Sequence, residues 1–340
     1  MPTTRFCRLA RFGLAAVDLA AGGLAESVRR IGGKKGDDAV NALLTAANAK
    51  KLARRLSSMR GAAMKIGQVL SMEGADILPP EFTEALAILR DSADTMPDTQ
   101  VKRVMGREFG KGWQKRFEHF DFQPIAAASI GQVHRARTSD GRDLALKIQY
   151  PGVARSIDSD VDNMALLLRM LNILPVELDT DGITAEAKRQ LRQEADYLAE
   201  AGFLKEYAYL VRNNHRLLVP AVHEDLSSRR VLAMDYLPGE PLEALAADGV
   251  DPALRDSVGE ELERLLFREL FEFRTMQTDP NFANYLYRPE EDRIVLLDFG
   301  STVTFTRSFT ERYRHISRAL IEGDDDGVWR YAEEIGYLHP

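Results

Sequence analysis

The sequence predicts an α+β fold, with helices in the first third of the chain and strands mixed with helices after it. Helical apolar spacing is typical of residues 1–120. Two strand patterns joined by a turn follow at 131–150, and short apolar strands return at 285–297. A chain of 340 residues with 45% hydrophobic content can bury a substantial core. We therefore expect one two-lobed unit with a helical extension in front of it.

Charge and cysteine content exclude several functional classes. The net charge of −7 argues against a general nucleic-acid binder. The single cysteine, Cys7, excludes an intrachain disulfide and fits a reducing compartment. The sequence contains no cluster of cysteine and histidine residues that would predict a zinc site. The sequence has no run of about 18 apolar residues, so it predicts no membrane-spanning helix.

The opening segment 1–17 contains three arginines and no acidic residue. As a helix it would place Phe6, Leu9 and Val17 on one side and the arginines on another, with Phe12 among the arginines. Three interpretations stay open at this point. The segment is an interfacial membrane helix, a transit-peptide-like sequence or an ordinary surface helix.

The most informative motif lies in segment 276–301. It places Asp279 five residues before Asn284, and an Asp-Phe-Gly triplet beginning at Asp298 follows an apolar strand. Phosphoryl transfer needs a carboxylate to orient the attacking group, and an amide oxygen and a second carboxylate to hold Mg²⁺ against nucleotide phosphates. A lone Asp-Phe-Gly is equally typical of a strand that ends in a turn. The preceding Asp and Asn, and the helical run at 262–273 before them, favour the phosphoryl-transfer interpretation.

The nucleotide-binding half of such a site needs a lysine on a strand and an acid on a helix. Lys147 lies inside the apolar run 143–150, after a hairpin turn signal, whereas a single strand lysine usually faces solvent. Glu194, on a strongly helical stretch, is the best candidate for the acid. Glu186 and Asp196 are its competitors, and any of the three could be a solvated helix acid.

The loop expected over the phosphates has the sequence Ala126-Ala127-Ala128-Ser129 in place of a glycine-rich one. Alanine Cβ atoms narrow the approach of backbone to phosphate and stiffen the loop. The loop therefore predicts a site built for something other than ordinary protein phosphorylation. The strand pattern at 230–236 and the Leu-Pro-Gly after it fit the last small-lobe strand and an adenine-binding hinge.

Five strings in the chain resemble the atypical kinase-like family of ubiquinone biosynthesis, the UbiB/ADCK family, and the resemblance runs from about 56 to about 304. The strings are Lys65-Ile-Gly-Gln68, Ala126 to His134, Leu146 to Val153, Glu194-Ala-Asp-Tyr197, and the loop from Gln277 to Asn284. The resemblance implies a two-lobed protein-kinase-like fold, with a small β-rich lobe and a helical large lobe. The implied divisions are an extension at 1–120, a small lobe at 121–239 with a helical insert at 151–181, and a large lobe at 240–340. With 340 − 300 = 40 residues after Gly300, that large lobe is short or truncated.

The resemblance also implies roles for the candidate residues. Lys147 would pair with Glu194 and, with loop 126–129, contact ATP, while Asp279 takes the catalytic-loop position. The same resemblance makes Asn284 and Asp298 the ligands of Mg²⁺. It further implies ATPase activity, little or no phosphorylation of protein substrates, and support for the enzymes that assemble ubiquinone or for isoprenoid-quinone intermediates. The implied location is peripheral to a membrane lipid surface, on the cytoplasmic or the mitochondrial-matrix side.

Lys65 and Gln68 lie three residues apart and share one face of a predicted helix. Spacing alone favours an ordinary surface pair. The resemblance instead implies a regulatory pair on a helix laid across the active-site cleft, where the lysine reaches acidic groups near the metal site and excludes a protein substrate.

Two alternatives to an ATPase are a catalytically silent nucleotide-binding scaffold and an ordinary protein kinase. The complete set of phosphoryl-transfer residues argues against the scaffold. The alanine loop, and the lack of a recognisable Ala-Pro-Glu segment after Gly300, argue against the protein kinase.

Overall fold

The computed structural model of the chain describes residues 56–73, 80–91, 95–170, 179–279 and 281–338. The three interpretations of segment 1–17 therefore fall outside the described residues. So does part of the helical insert expected at 151–181, from 171 to 178.

Helices and strands alternate along the described residues after an initial group of helices, which confirms the α+β prediction. The α-helices are α1 (Arg60–Glu73), α2 (Pro80–Asp91), α3 (Asp98–Phe109), α4 (Val153–Met170), α5 (Thr180–Glu194), α6 (Tyr197–Leu210), α7 (Pro252–Arg268), α8 (Arg307–Glu322) and α9 (Asp325–Glu334). The strands are β1 (Phe117–Phe120), β2 (Ala126–Ala127), β3 (Gly131–Thr138), β4 (Asp143–Gln149), β5 (Leu217–Leu218), β6 (Val231–Asp235), β7 (Glu240–Pro241), β8 (Thr275–Gln277), β9 (Tyr285–Arg288), β10 (Arg293–Leu296) and β11 (Thr302–Thr304). A π-helical turn at Glu269–Phe273 extends α7.

The chain divides into two compact units. Unit 1 comprises the described residues up to Tyr197 together with His223–Ala233, and unit 2 comprises Leu198–Val222 and the described residues from Met234 onward.

Unit 1 is built on an antiparallel sheet with the strand order β1-β3-β4-β6, and β2 pairs with the start of β3 on the same edge as β1. The predicted strand at 143–150 is confirmed as β4, in which Leu144, Leu146 and Ile148 are fully buried. A strand inside a sheet with both faces covered must be apolar on both faces, which explains the unbroken apolar run. Trp113 and Phe117 pack edge to face beneath this sheet, with ring centres 5.9 Å apart.

Helix α1 packs against α2, α4 and α5 in unit 1. Its residues Ile66 and Leu70 are 1% and 0% exposed, so α1 belongs to the interior of the unit. Gly67 permits the close approach of α2, because a Cβ at that position would meet the Leu86 side chain. Helix α5 begins where the Asp179 carboxylate accepts a hydrogen bond from Gly182 N, and it ends at Glu194.

Unit 2 contains two small sheets and helices α6 to α9, of which α6 begins with the unit 1 residue Tyr197. One sheet has the order β5-β10-β9-β7, and the other pairs β8 with β11. Helix α7 starts after an Asp251 cap with a proline at its first position, a standard helix start. None of the helices among the described residues has the length and apolar character that a membrane crossing requires.

Candidate functional site

The carboxylate of Glu194 is held from two sides within unit 1. Lys65 Nζ lies 2.6 Å from Glu194 Oε1, and the Ser129 hydroxyl donates to Glu194 Oε2 at 2.5 Å. The side chains of Lys65 and Glu194 are only 4% and 12% exposed. The structure thus brings together three predicted residues from α1, the alanine loop and the end of α5.

Helix α1 sits directly on the alanine loop. A Cβ built at Gly61 would lie 3.0 Å from Ile130 Cγ2 and 3.4 Å from the Ser129 carbonyl oxygen, so glycine permits this approach. Because Lys65 follows one turn after Gly61, this packing places its side chain on the acid at the end of α5.

The loop over the expected phosphate position forms a tight hairpin. Ala126 pairs with Val133 and Ala127 with Gln132, and Ala128 N donates to Gly131 O at 2.9 Å. Ala126 and Ala127 are exposed. Their methyl groups therefore line the accessible surface of this hairpin.

Lys147 lies on β4 opposite Val133 and is 7% exposed. Its Nζ lies 5.3 Å from the ring centre of Tyr197, a cation–π distance. This burial confirms that it is not a solvent-facing strand lysine. The pairing of Lys147 with Glu194 stays a prediction.

The two competitors of Glu194 have other surroundings. Glu186 accepts hydrogen bonds from Arg189 at 2.5 and 2.8 Å, and these bonds lower the pKa of its carboxyl. Asp196 is exposed. Neither observation gives these acids the enclosed position of Glu194.

In unit 2, the side chain of Gln277 holds both backbone groups of Asp279. Gln277 Nε2 donates to Asp279 O at 2.7 Å, and Asp279 N donates to Gln277 Oε1 at 2.8 Å. Gln277 is buried, so this two-point contact fixes the peptide on either side of the Asp279 side chain. Sequence reasoning missed this role for Gln277, although the residue lies inside a string already identified.

The β9–β10 ladder places Asn284 beside the Asp-Phe-Gly segment. Tyr285 pairs with Leu296, and Leu297 N donates to Asn284 O at 3.0 Å. Asn284 therefore lies opposite the residue that precedes Asp298. The Asp298 carboxylate accepts a bond from Gly300 N at 2.8 Å, which fixes the turn after it. Unit 2 thus brings Asp279, Asn284 and Asp298 into one hydrogen-bonded loop system.

The donor set of this loop system fits Mg²⁺. Asn284 and Asp298 offer an amide and a carboxylate, both hard oxygen ligands. The described residues contain no group of three or more His, Cys, Asp or Glu side chains that could hold a metal ion. Magnesium in nucleotide sites is commonly held by one or two protein ligands together with phosphate oxygens. Asn284 and Asp298 therefore supply enough protein ligands of the right type.

A buried acid, Glu269, supports the strand that leads into Asp279. It lies in the π-helical turn before β8, and burial raises the pKa of its carboxyl to about 8. The turn ends at Arg274 with φ 58°, a left-handed backbone conformation that non-glycine residues rarely adopt. Tyr207 of α6 is fully buried, and its ring centre lies 4.4 Å from that of Phe299. π-turns and positive-φ residues are both enriched at functional sites.

Sequence reasoning missed Glu269, although a signal for it existed. Glu261, Leu265 and Glu269 follow one another at i, i+4 spacing and are all buried, whereas Leu266 is 41% exposed. An acid on the buried stripe of a helix is the pattern that identifies such a residue.

Comparisons with known proteins agree with this geometry. Residues 88–332 match the family model of the ABC1 atypical kinase-like domain. The chain is 40% identical over 347 residues to the atypical kinase coq-8, mitochondrial, of Caenorhabditis elegans, covering 99% of this chain and 46% of that protein. It is 40% identical over 340 residues to the atypical kinase COQ8B, mitochondrial, of Rattus norvegicus, covering 99% of this chain and 64% of that protein. The chain thus spans about half to two thirds of the length of these relatives.

A solved structure shows the same fold. The Rv3197–erythromycin complex from Mycobacterium tuberculosis matches with a TM-score of 0.59 and 32% identity, covering 88% of this chain and 76% of that chain. The predicted kinase-like fold is therefore confirmed. On the match to the family model and on these similarities, the chain belongs to the ABC1 atypical kinase-like family.

Proposed function

We propose that this chain binds ATP with Mg²⁺ and hydrolyses it, in support of ubiquinone biosynthesis at a membrane surface. The observation that carries the proposal is the loop system of unit 2. Gln277 fixes the backbone of Asp279, and the β9–β10 ladder sets Asn284 opposite the residue before Asp298. This arrangement supplies an orienting carboxylate and two oxygen ligands on rigid supports, which phosphoryl transfer requires.

Each residue has a distinct role in this proposal. Asp279 orients the attacking water, and Asn284 and Asp298 hold Mg²⁺. Lys147 binds the α- and β-phosphates from its buried position on β4. The bound metal neutralises the charge of the phosphates, and the chain's own residues align them. The alanine hairpin covers the nucleotide and restricts how closely its backbone approaches the phosphates.

Lys65 and Gln68 are the regulatory residues in this proposal. Lys65 forms an ion pair with the Glu194 carboxylate, and Ser129 donates a hydrogen bond to it. This is the same carboxylate that we predict to pair with Lys147. The strength of the Lys65 contact therefore sets how much of that carboxylate is available to orient Lys147. Gln68 lies almost one turn further along α1.

The membrane location and the ubiquinone partners are proposed from the resemblance to the family of ubiquinone biosynthesis. The Caenorhabditis and rat proteins are both named mitochondrial atypical kinases. We propose a peripheral position on the cytoplasmic or matrix side of a membrane, with ubiquinone-biosynthesis enzymes or isoprenoid-quinone intermediates as partners. Sedimentation with anionic vesicles tests the membrane part, and recovery in the supernatant at low ionic strength would contradict it.

The central experiment measures ATP turnover by the purified chain with and without anionic lipid vesicles. Asp298→Asn is compared with Asp248→Asn, because Asp248 is an exposed turn residue. We expect Mg²⁺-dependent phosphate release by the wild type and by Asp248→Asn, and loss of it in Asp298→Asn. Equal turnover by all three proteins would exclude the assigned site.

The Lys65–Glu194 ion pair favours one second candidate, a catalytically silent nucleotide-binding scaffold. A scaffold has no need of a free Glu194, whereas the proposed ATPase needs the Glu194 carboxylate available to orient Lys147. Nucleotide binding without turnover, in both wild type and Lys65→Ala, would favour the scaffold.

A further inference from the structure

Strand β8 leads into Asp279. One of its edges pairs with β11, and the backbone groups of its other edge form hydrogen bonds with side chains. Phe305 N donates to Arg274 O, and Thr278 N donates to Ser301 O, so these positions face β11. Backbone groups of alternate residues in an antiparallel ladder face opposite edges. The carbonyl of Thr275 and the N–H of Gln277 therefore point away from β11.

Two buried side chains satisfy this second edge. The Tyr207 hydroxyl donates to Thr275 O at 3.0 Å, and Gln277 N donates to the Glu269 carboxyl. Glu269 and Tyr207 are also hydrogen-bonded to each other. Tyr207 is 0% and Glu269 6% exposed, so water does not substitute for these contacts.

The burial of the Glu269 carboxyl favours its protonated form. Tyr207 has a single hydroxyl hydrogen, and Thr275 O accepts it. A protonated Glu269 carboxyl supplies a second hydrogen, which it can donate to the Tyr207 oxygen. Burial raises the pKa of the Glu269 carboxyl to about 8, although its hydrogen bonds with Tyr207 and Gln277 act to lower it.

Two arginines of the adjoining helices have partners other than Glu269. On α7, Arg268 pairs with Glu272 at 2.9 Å, and on α8, Arg314 donates to Phe271 O at 3.1 Å. Glu206 of α6 accepts from the Thr275 hydroxyl at 3.1 Å.

Tyr285 of β9 has its pKa raised to about 12 by burial, with the charges of Glu269 and Asp279 adding to the effect. Burial therefore penalises an ionised Glu269, and the hydrogen bonds at its carboxyl come from neutral groups, Tyr207 and the backbone of Gln277.

We propose that Glu269 and Tyr207 are positioning residues for the catalytic loop. The proton that they share holds β8 in place, and β8 in turn positions the peptide of Asp279 through Gln277. The inference rests on the proposed function, which assigns the chemistry to Asp279. The same pair reaches the metal-binding segment, because the Tyr207 ring packs on Phe299, the residue after Asp298. One buried pair thus supports both segments that carry the reactive groups.

Loss of the shared proton changes the hydrogen-bond pattern in a defined way. An ionised Glu269 is only an acceptor, so it draws the single Tyr207 hydrogen away from Thr275 O. The carbonyl of Thr275 then loses its donor, and β8 is held on its second edge by the bond from Gln277 N alone. The position of Asp279 becomes less precise, and small displacements of a reacting group reduce turnover steeply.

The test compares pH profiles of ATP turnover between pH 6 and about 9.5, a range centred near the Glu269 pKa. Glu269→Gln keeps a neutral hydrogen donor and an acceptor at every pH, and the exposed α7 residue Glu263 provides the control Glu263→Gln. We expect wild type and Glu263→Gln to lose kcat as pH rises through about 8, and Glu269→Gln to keep it. Tyr207→Phe should lower kcat roughly tenfold or more at all pH values with KM for ATP little changed. The control is Tyr209→Phe, at a residue that is 63% exposed.

A second readout separates this inference from the proposed function. Unfolding temperatures without nucleotide are measured for wild type and Glu269→Gln between pH 5 and 8. The variant should gain stability relative to wild type as pH rises, whether or not the protein hydrolyses ATP. The proposed shared proton would be excluded if the unfolding temperatures of wild type and Glu269→Gln differed by a constant amount across this range. The same loss of kcat at alkaline pH in both proteins would also exclude it. Absent wild-type turnover with the pH-dependent difference intact would overturn the proposed function and support the buried proton.

Discussion

Lys65 Nζ lies 2.6 Å from Glu194 Oε1, and the two residues are 194 − 65 = 129 positions apart in the sequence. Their side chains are almost fully enclosed, so the pair is both a fold contact and a constraint on the candidate nucleotide site. Removing one partner of an enclosed ion pair leaves the other charge without compensation.

We predict that Lys65→Ala destabilises unit 1 and alters ATP turnover. The expected loss is about 3–5 kcal/mol in the free energy of unfolding, since Glu194 is left enclosed without its cation. Chemical denaturation measures this loss, and Lys111→Ala, at an exposed lysine, is the control. Radiolabelled ATP reports whether turnover changes or self-phosphorylation begins. Wild-type stability and wild-type turnover in Lys65→Ala would show that the Lys65–Glu194 contact contributes to neither.

The partner substitution sharpens this prediction. Glu194→Gln removes the charge that Lys65 neutralises, so Lys65→Ala combined with Glu194→Gln should lose less stability than the two single losses added together. Additive losses would show that the two side chains do not interact in solution.

We predict that Asp298→Asn abolishes Mg²⁺-dependent turnover while the fold survives. The asparagine Oδ1 can still accept the hydrogen bond from Gly300 N, so the turn after it is kept. The metal loses a charged ligand, and turnover should fall more than about a hundredfold, because metal stabilisation of phosphoryl transfer is worth several kcal/mol. Isothermal titration with ATP and Mg²⁺ measures the loss of affinity, and an unchanged unfolding temperature confirms the fold.

We predict that Gln277→Ala reduces turnover more than it reduces nucleotide affinity. It removes both bonds to the Asp279 backbone, each worth about 0.5–1.5 kcal/mol of stability. The Asp279 side chain remains but is less well positioned, so kcat should fall while the dissociation constant for ATP stays close to wild type. The control is Gln123→Ala, at an exposed glutamine. A raised ATP dissociation constant with unchanged kcat would contradict this role.

We predict that wild-type stability falls relative to Glu269→Gln as pH rises from 5 to 8. The folded-state pKa of Glu269 is raised to about 8 from an ordinary value of 4.5, so the folded protein binds a proton that the unfolded chain releases. The stability that this proton provides is complete below 4.5 and is lost as pH rises to about 8. The slope is at most about 1.4 kcal/mol per pH unit, and it levels off above the folded-state pKa. Urea unfolding at several pH values measures it.

Local patterns predicted the regular elements of this chain well. The apolar run around Lys147 and the run before Asp298 are confirmed as β4 and β10, because strands buried on both faces must be apolar throughout. The helical spacing around Glu194 is confirmed as α5. Helix prediction in 262–273 is confirmed in part, since α7 ends at Arg268 and a π-helical turn follows.

Local sequence patterns could not predict the contacts between segments that are distant in the sequence. Nothing in the spacing around Lys65 identifies Glu194 as its partner, since the contact depends on how α1 packs on the alanine loop. Strands β8 and β11 have three residues each, too short for any periodicity to show. The support of Asp279 by Gln277, Glu269 and Tyr207 therefore became visible only in the structure.

The placement of α1 has a practical consequence for the choice of expression boundaries. The family match begins at residue 88, so a fragment cut at that boundary would lack α1. The surface left behind includes Ile130 and Leu191, now 1% exposed each, together with the Glu194 carboxylate. Such a fragment would expose an apolar patch to water beside a carboxylate that has lost its lysine, and we expect it to aggregate. A fragment that preserves the described interior of this unit therefore includes Leu56, which is fully buried.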